Sequence, residues 1–127
     1  MFGDSNRPCV LEDLSNLKYL DCCIKESLRL YPPVAFIRRR MNEDVRFSGH
    51  DVPEGTSVGI LIYTLHRNED IFPDPNSFKP ERFETDQTIG RNPFAYVPFS
   101  AGPRNCIGTI PIKLFLFFNN TFVKLLI

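Results

Sequence analysis

"PFSAGPRNCIG", residues 98–108, decides how the chain is read. One cysteine stands among two prolines, two glycines and an arginine, just ahead of a mainly apolar tail. Gly102 and Gly108 permit backbone angles and close approaches that other residues resist, and Pro103 stiffens the turn between them. Such a loop is rigid without being regular. Four readings of Cys106 are open at this point: a core residue, half of a disulfide, a zinc ligand, or a thiolate held out for a larger group.

The rest of the chain narrows them. The cysteines are Cys9, Cys22, Cys23 and Cys106; no two have C-x-x-C spacing, and His50 and His66 are the histidines that could join a cage, which argues against zinc. The N-terminus "MFGDSNRPCV" has neither the charged start nor the apolar core of a signal peptide or membrane anchor, so free thiols are expected. Cys9, Cys22 and Cys23 then read as small apolar residues. A nucleophilic Cys106 wants a base beside it, and neither histidine is near in sequence. A haem iron asks instead for one thiolate, N–H donors to moderate its charge, and cations for the propionates; Arg104 is such a cation.

With 127 residues, 43% hydrophobic side chains and zero net charge, the chain is in the range of one globular domain. Basic residues are scattered apart from Arg38, Arg39 and Arg40, which excludes a long basic face for nucleic acid. Nine of the eleven prolines fall between Pro32 and Pro103, so the middle is loop-rich. The tail "TIPIKLFLFFNNTFVKLLI" is interrupted by Lys113, Asn119, Asn120 and Lys124, against a bilayer span.

Leu11, Leu14, Leu17, Leu20, Ile24 and Leu28 recur at three- and four-residue intervals, which predicts an amphipathic helix from Val10 to Leu30, stopped by Pro32 and Pro33. Glu26 and Arg29 share one face of it. "VAFIRRRM", "VRFSG" and "SVGILIYTLH" read as two or three antiparallel strands, with "HDVPEGT" as turn and strand edge. "HRNEDIF" predicts a short helical turn, and Pro73 to Pro98 a meander with so little regular structure that it must pack on a larger body.

"FSAGPRNCIG" resembles the haem-binding signature F-x-x-G-x-R-x-C-x-G of the cytochrome P450 family, matching at Phe99, Gly102, Arg104, Cys106 and Gly108. Five such positions coincide by chance on the order of once in ten thousand sequences or less, so coincidence is set aside. "KESLRLYPP" is similar to that family's K helix and "PERF", residues 80–83, to its meander motif. Residues 1–108 are family-like, closest in "YLDCCIKESLRLYPPV" and "YTLHRNEDIFPDPNSFKPERF" to family 4 members, insect and arthropod ones especially.

The resemblance implies an α+β fragment of a mainly-α fold: K helix, short antiparallel strands, meander, cysteine loop and a partial or aberrant L helix. Residues 1–127 would form the C-terminal haem-thiolate portion. Cys106 would be the axial iron ligand, Arg104 and Arg39 propionate partners, and Phe99, Gly102 and Gly108 the rest of the haem loop. Glu26, Arg29 and Arg82 would form a structural charge network and not a catalytic one. The implied reaction is monooxygenation of a small lipophilic substrate (fatty acid, hydrocarbon or xenobiotic), with electrons from NADPH-cytochrome P450 reductase and cytochrome b5 as a further donor. The implied location is the cytosolic face of the endoplasmic reticulum membrane, through an anchor that this sequence does not include. Val34, Ala35, Phe36 and Ile37 fall in a segment that faces substrate in the family. Rival readings are an inactive truncated fragment or gene-model product and a haem-thiolate isomerase or dehydratase. The tail departs from the family: Thr109, Ile110, Pro111 and Ile112 replace the expected helix start, and residues 109–127, built mainly from Phe, Leu, Ile, Lys and Asn, read as translation past a splice site.

Overall fold

The computed structural model describes residues 16–107. The expectations placed on Cys9, Gly108 and the 109–127 tail lie outside the described residues. Helix α1, Lys18–Leu30, is the longest element, and it buries Cys22, Cys23, Ile24, Glu26, Leu28, Arg29 and Leu30. The expected uninterrupted helix from Val10 is corrected here: Leu17 stands at the N-cap with φ −85° and ψ 53°, outside helical geometry. The apolar spacing of the sequence does not reveal that break, because periodicity does not record the backbone angle at each residue; the expected helical stretch before residue 16 lies outside the described residues. At the other end, the Tyr31 N–H closes the last turn on the Ser27 carbonyl at 2.8 Å. The prolines that follow stop further winding.

Two small antiparallel sheets come next. β1, Phe36–Arg40, pairs with β4, Ser57–Leu61; β2, Val45–Phe47, pairs with β3, His50–Val52. Ser48 and Gly49 both have positive φ, 50° and 84°, the conformation of a two-residue hairpin turn matched to strand twist. On β1 and β4, Ile37, Arg39, Val58 and Ile60 are opposite partners on one face, while Phe36, Arg38 and Arg40 share the other with Leu61, Gly59 and Ser57. The Phe36 ring lies across Gly59: a Cβ there would come within 2.5 Å of Cε2 unless the ring moved.

The last strand ends at Leu61, not at His66 as its apolar run implies. Its partner starts at Phe36, so pairing runs out, and Ile62–Leu65 turns into a helical segment, α2, with Ile62 fully buried. The expected helical turn at "HRNEDIF" follows it, where the Phe72 N–H closes one turn on the Asn68 carbonyl at 2.8 Å. Beyond it the meander contains two 3-10 turns, Pro80–Phe83 and Pro93–Ala95, and one short helix, α3, Thr85–Thr88. Phe72 and Phe83 pack with Cys22 into the central apolar cluster, flanked by Ile71 and Tyr96. The fold is a mixed fragment of helices, short antiparallel strands and a cysteine loop.

Gly59→Ala is expected to lower unfolding free energy by about 1 kcal/mol, the low end for an overpacked contact, because the Phe36 ring is 47% exposed and can swing away. Urea unfolding measures it. A neutral result would show that the ring does not need the glycine.

Candidate functional site

The site is built on a buried ion pair. Glu26 and Arg29 are both 0% exposed, and lie one turn apart on α1, which lets guanidinium and carboxylate meet side by side: Nε donates to Oε2 at 2.7 Å and Nη2 to Oε1 at 2.8 Å. The remaining donors of Arg29 go to backbone carbonyls, with Nη1 on His66 at 2.9 Å and Pro75 at 2.7 Å, and Nη2 on Ser77 at 3.2 Å. Glu26 Oε1 also accepts the Lys79 N–H at 2.9 Å. Arg82 approaches the same oxygen at 3.5 Å through Nε, too loosely for a hydrogen bond, and spends Nη2 on the Asp74 carbonyl at 2.8 Å. The structure therefore brings Glu26, Arg29 and Arg82 together, with Arg82 the outermost.

His66 connects this centre to the cysteine loop. It is fully buried, its ring stacks obliquely on Tyr96 at 5.2 Å, and Nε2 accepts the Val97 N–H at 2.9 Å. Burial pulls its pKa down to about 4 and keeps it neutral, against an opposing hydrogen-bond contribution from the Arg29 backbone and with smaller help from the Arg29 and Arg67 charges. Tyr96, for its part, donates its hydroxyl to the Lys25 carbonyl at 3.0 Å, and its own burial raises its pKa.

From Val97 the loop turns twice. The Ser100 N–H returns to Val97 at 3.0 Å, and the Cys106 N–H to the Phe99 carbonyl at 2.9 Å. Ser100 and Gly102 have positive φ, 65° and 82°; glycine takes that angle freely, serine at a cost. Phe99 is half-buried, while Gly102, Arg104 and Cys106 are exposed. Cys22, Cys23 and Cys106 are thiols and not disulfides; burial pushes the first two up in pKa. Arg39 reaches the loop from β1, donating Nη2 to Ser100 Oγ at 2.9 Å and to the Arg104 carbonyl at 3.3 Å.

Between β1/β4 and the loop lies an open, mostly apolar cleft of about 400 Å³, lined by Ile37, Ile60, Leu65, Phe94 and Val97 with Arg39 and Ser100 among them. Gly102 also lines it, and a Cβ built there would meet no atom within 4 Å. Arg39 and the apolar lining suit a flat, apolar group with an anionic edge, while Cys106, on the same loop, is not among the residues that line the cleft. Among the described residues no three His, Cys, Asp or Glu side chains converge on a metal, and no helix is long and apolar enough to cross a membrane. Sequence reasoning named Arg39 but not Ser100, its side-chain partner, and read His66 as part of a short helix. No local signal marks a histidine whose partner is thirty-one positions away.

Known proteins resemble this chain over most of its length. The cytochrome P450 family model matches residues 1–115. Cytochrome P450 4V2 of Rattus norvegicus is 55% identical over 108 residues, 85% of this chain and 21% of that protein; cytochrome P450 4c3 of Drosophila melanogaster is 50% identical over 109 residues, 85% of this chain and 20% of that one. A solved structure of retinoic acid bound cyanobacterial CYP120A1 superposes with a TM-score of 0.78 at 40% identity, covering 84% of this chain and 25% of its own. The chain spans about a fifth of the length of the curated relatives it matches.

Removing Arg29 strands Glu26 and three carbonyls, so Arg29→Ala is expected to cost about 3–5 kcal/mol in denaturant unfolding; a loss below 1 kcal/mol would deny the pair its structural role. His66 adds a pH dependence. Its folded pKa of about 4 lies below the ordinary 6.5, so its contribution is complete above pH 6.5 and is lost as the unfolded chain takes up the proton between about 6.5 and 4. Unfolding midpoints should fall across that window, and His66→Gln should flatten the fall.

Proposed function

This chain belongs to the cytochrome P450 family, and from that premise we propose that it is the C-terminal haem-thiolate portion of a monooxygenase acting on a lipophilic substrate. The observation that carries the reading is the loop of Phe99, Gly102, Arg104 and Cys106, fastened by Arg39 and bordering an apolar cleft. Cys106 would hold the iron and Arg39 and Arg104 the propionates; Phe99 positions Cys106 through its carbonyl, and Gly102 leaves room for the macrocycle. Gly108 completes the motif. When bound, the haem supplies dioxygen activation and transfer of one oxygen atom to substrate, a chemistry that thiolate ligation favours and of which P450s are the standing example. Glu26, Arg29 and Arg82 hold the scaffold. They do not touch the reacting atoms.

The chain's own contribution is one wall. Arg39 is already oriented by Ser100 and so loses little freedom on meeting an anion. Ile37 and Ile60 exclude water along the cleft. Electrons would come from NADPH-cytochrome P450 reductase, with cytochrome b5 as a further donor, at the cytosolic face of the endoplasmic reticulum membrane. Catalysis is expected from the complete protein and not from this portion alone.

Cys106→Ser in the complete haem protein should abolish the displaced Soret band that thiolate ligation gives the reduced carbon monoxide adduct, while Cys22→Ser and Cys23→Ser should preserve it. Retention of the band in Cys106→Ser would refute the assignment.

A further inference from the structure

We propose that His66 is a positioning residue for the thiol-bearing loop, fixing the loop's entry through the Nε2 bond to Val97 while Arg29 fixes His66 by its carbonyl. The proposal rests on the reading of Cys106 as the haem ligand. Because Nε2 accepts, the neutral ring carries its proton on Nδ1, and Nδ1 is buried with no hydrogen-bond partner among the described residues. An orphaned donor inside a packed core is unfavourable. Phenylalanine would fill the same space beside Tyr96 without it, so packing alone does not account for histidine here. The acceptor does.

What hangs on that acceptor is the loop register. The Tyr96 ring leans on His66, and the next residue, Val97, gives its N–H to Nε2 and its carbonyl to the Ser100 N–H. Phe99, one residue before Ser100, in turn receives the Cys106 N–H. A displaced Val97 therefore carries the Phe99 carbonyl and the Cys106 backbone with it. The charged and titratable groups facing the ring are Arg29 from α1, Arg67 from its own segment and Tyr96 from the loop approach. Burial is the main reason the imidazole stays neutral, with the two cations secondary and the Arg29 backbone opposing, and the neutral ring keeps Nε2 an acceptor.

The test compares His66→Phe, which keeps ring volume and loses the acceptor, with His66→Gln, which keeps an acceptor of similar reach. Hydrogen exchange on the chain should rise about tenfold or more across residues 97–106 in the phenylalanine variant. Residues 36–40 should be unchanged, and the glutamine variant should return near the original rate. In the complete haem protein, the phenylalanine variant should lose a measurable fraction of the thiolate-type carbon monoxide spectrum, and the glutamine variant should regain it. Should His66→Phe not fold, His66→Met, likewise without a nitrogen acceptor, takes its place. Loop exchange equal to the original in a non-accepting variant overturns the proposal, as does a glutamine variant no better protected than phenylalanine. If Cys106→Ser left the spectrum intact, the haem reading would fall while the exchange result still judged the anchor.

Discussion

A guanidinium buried without solvent contact constrains everything around it. Arg29 uses its five N–H groups on two carboxylate oxygens and three carbonyls, and the Phe72 ring covers it at 5.3 Å. A buried ion pair adds little net stability by itself, since desolvation offsets most of the attraction. Here its consequence is order. The His66 carbonyl lies at the end of α2, and those of Pro75 and Ser77 in proline-bearing chain outside helix and sheet; inside a protein all three need donors. One side chain on a regular helix supplies them, so an irregular segment acquires a single conformation. Apolar replacement of the pair would leave those carbonyls unsatisfied.

The same logic extends outward. Arg67 donates to the Leu30 carbonyl at 2.6 Å, capping the end of α1, and stacks on Tyr63 at 3.7 Å; Arg91 holds the carbonyls of Arg82 and Gln87 and lies over Phe72 and Phe83. Arginine recurs because its flat fork meets carbonyls at its edge and aromatic rings at its face. Arg67 thus ties the end of α2 to α1, and Arg91 ties the meander to itself, without strand pairing. The loop that follows inherits its position from this body through Tyr96 and Val97.

Local patterns were legible in the sequence, and distant partnerships were not. The Gly, Pro, Arg and Cys spacing of residues 98–108 could be read because a tight loop constrains its own residues, and Glu26 with Arg29 because three residues make nearly one turn. The break at Leu17 left no trace, since the apolar stripe runs through it. "SVGILIYTLH" looked like one strand because hydrophobicity records burial of Ile62 but not whether a partner strand is still alongside. The carbonyls that Arg29 collects have no side-chain identity at all. No spacing rule could have named His66, Pro75 and Ser77 as its partners.

Three arginines in a row, residues 38–40, show how the strand sorts equivalent residues. With a period of two, Arg38 and Arg40 point to the face where Phe36 lies across Gly59, and Arg39 to the face of Ile37 and Ile60 that borders the cleft. Arg40 accordingly sits near Gly55, and among the described residues only Arg39 of the three reaches the cysteine loop. A one-residue slip of β1 against β4 would exchange the faces and remove that guanidinium from the loop. The Phe36 ring resists such a slip, because the space it occupies exists over a glycine and not over Val58 or Ile60. The glycine on the far face of the sheet thus helps decide which arginine meets the cleft.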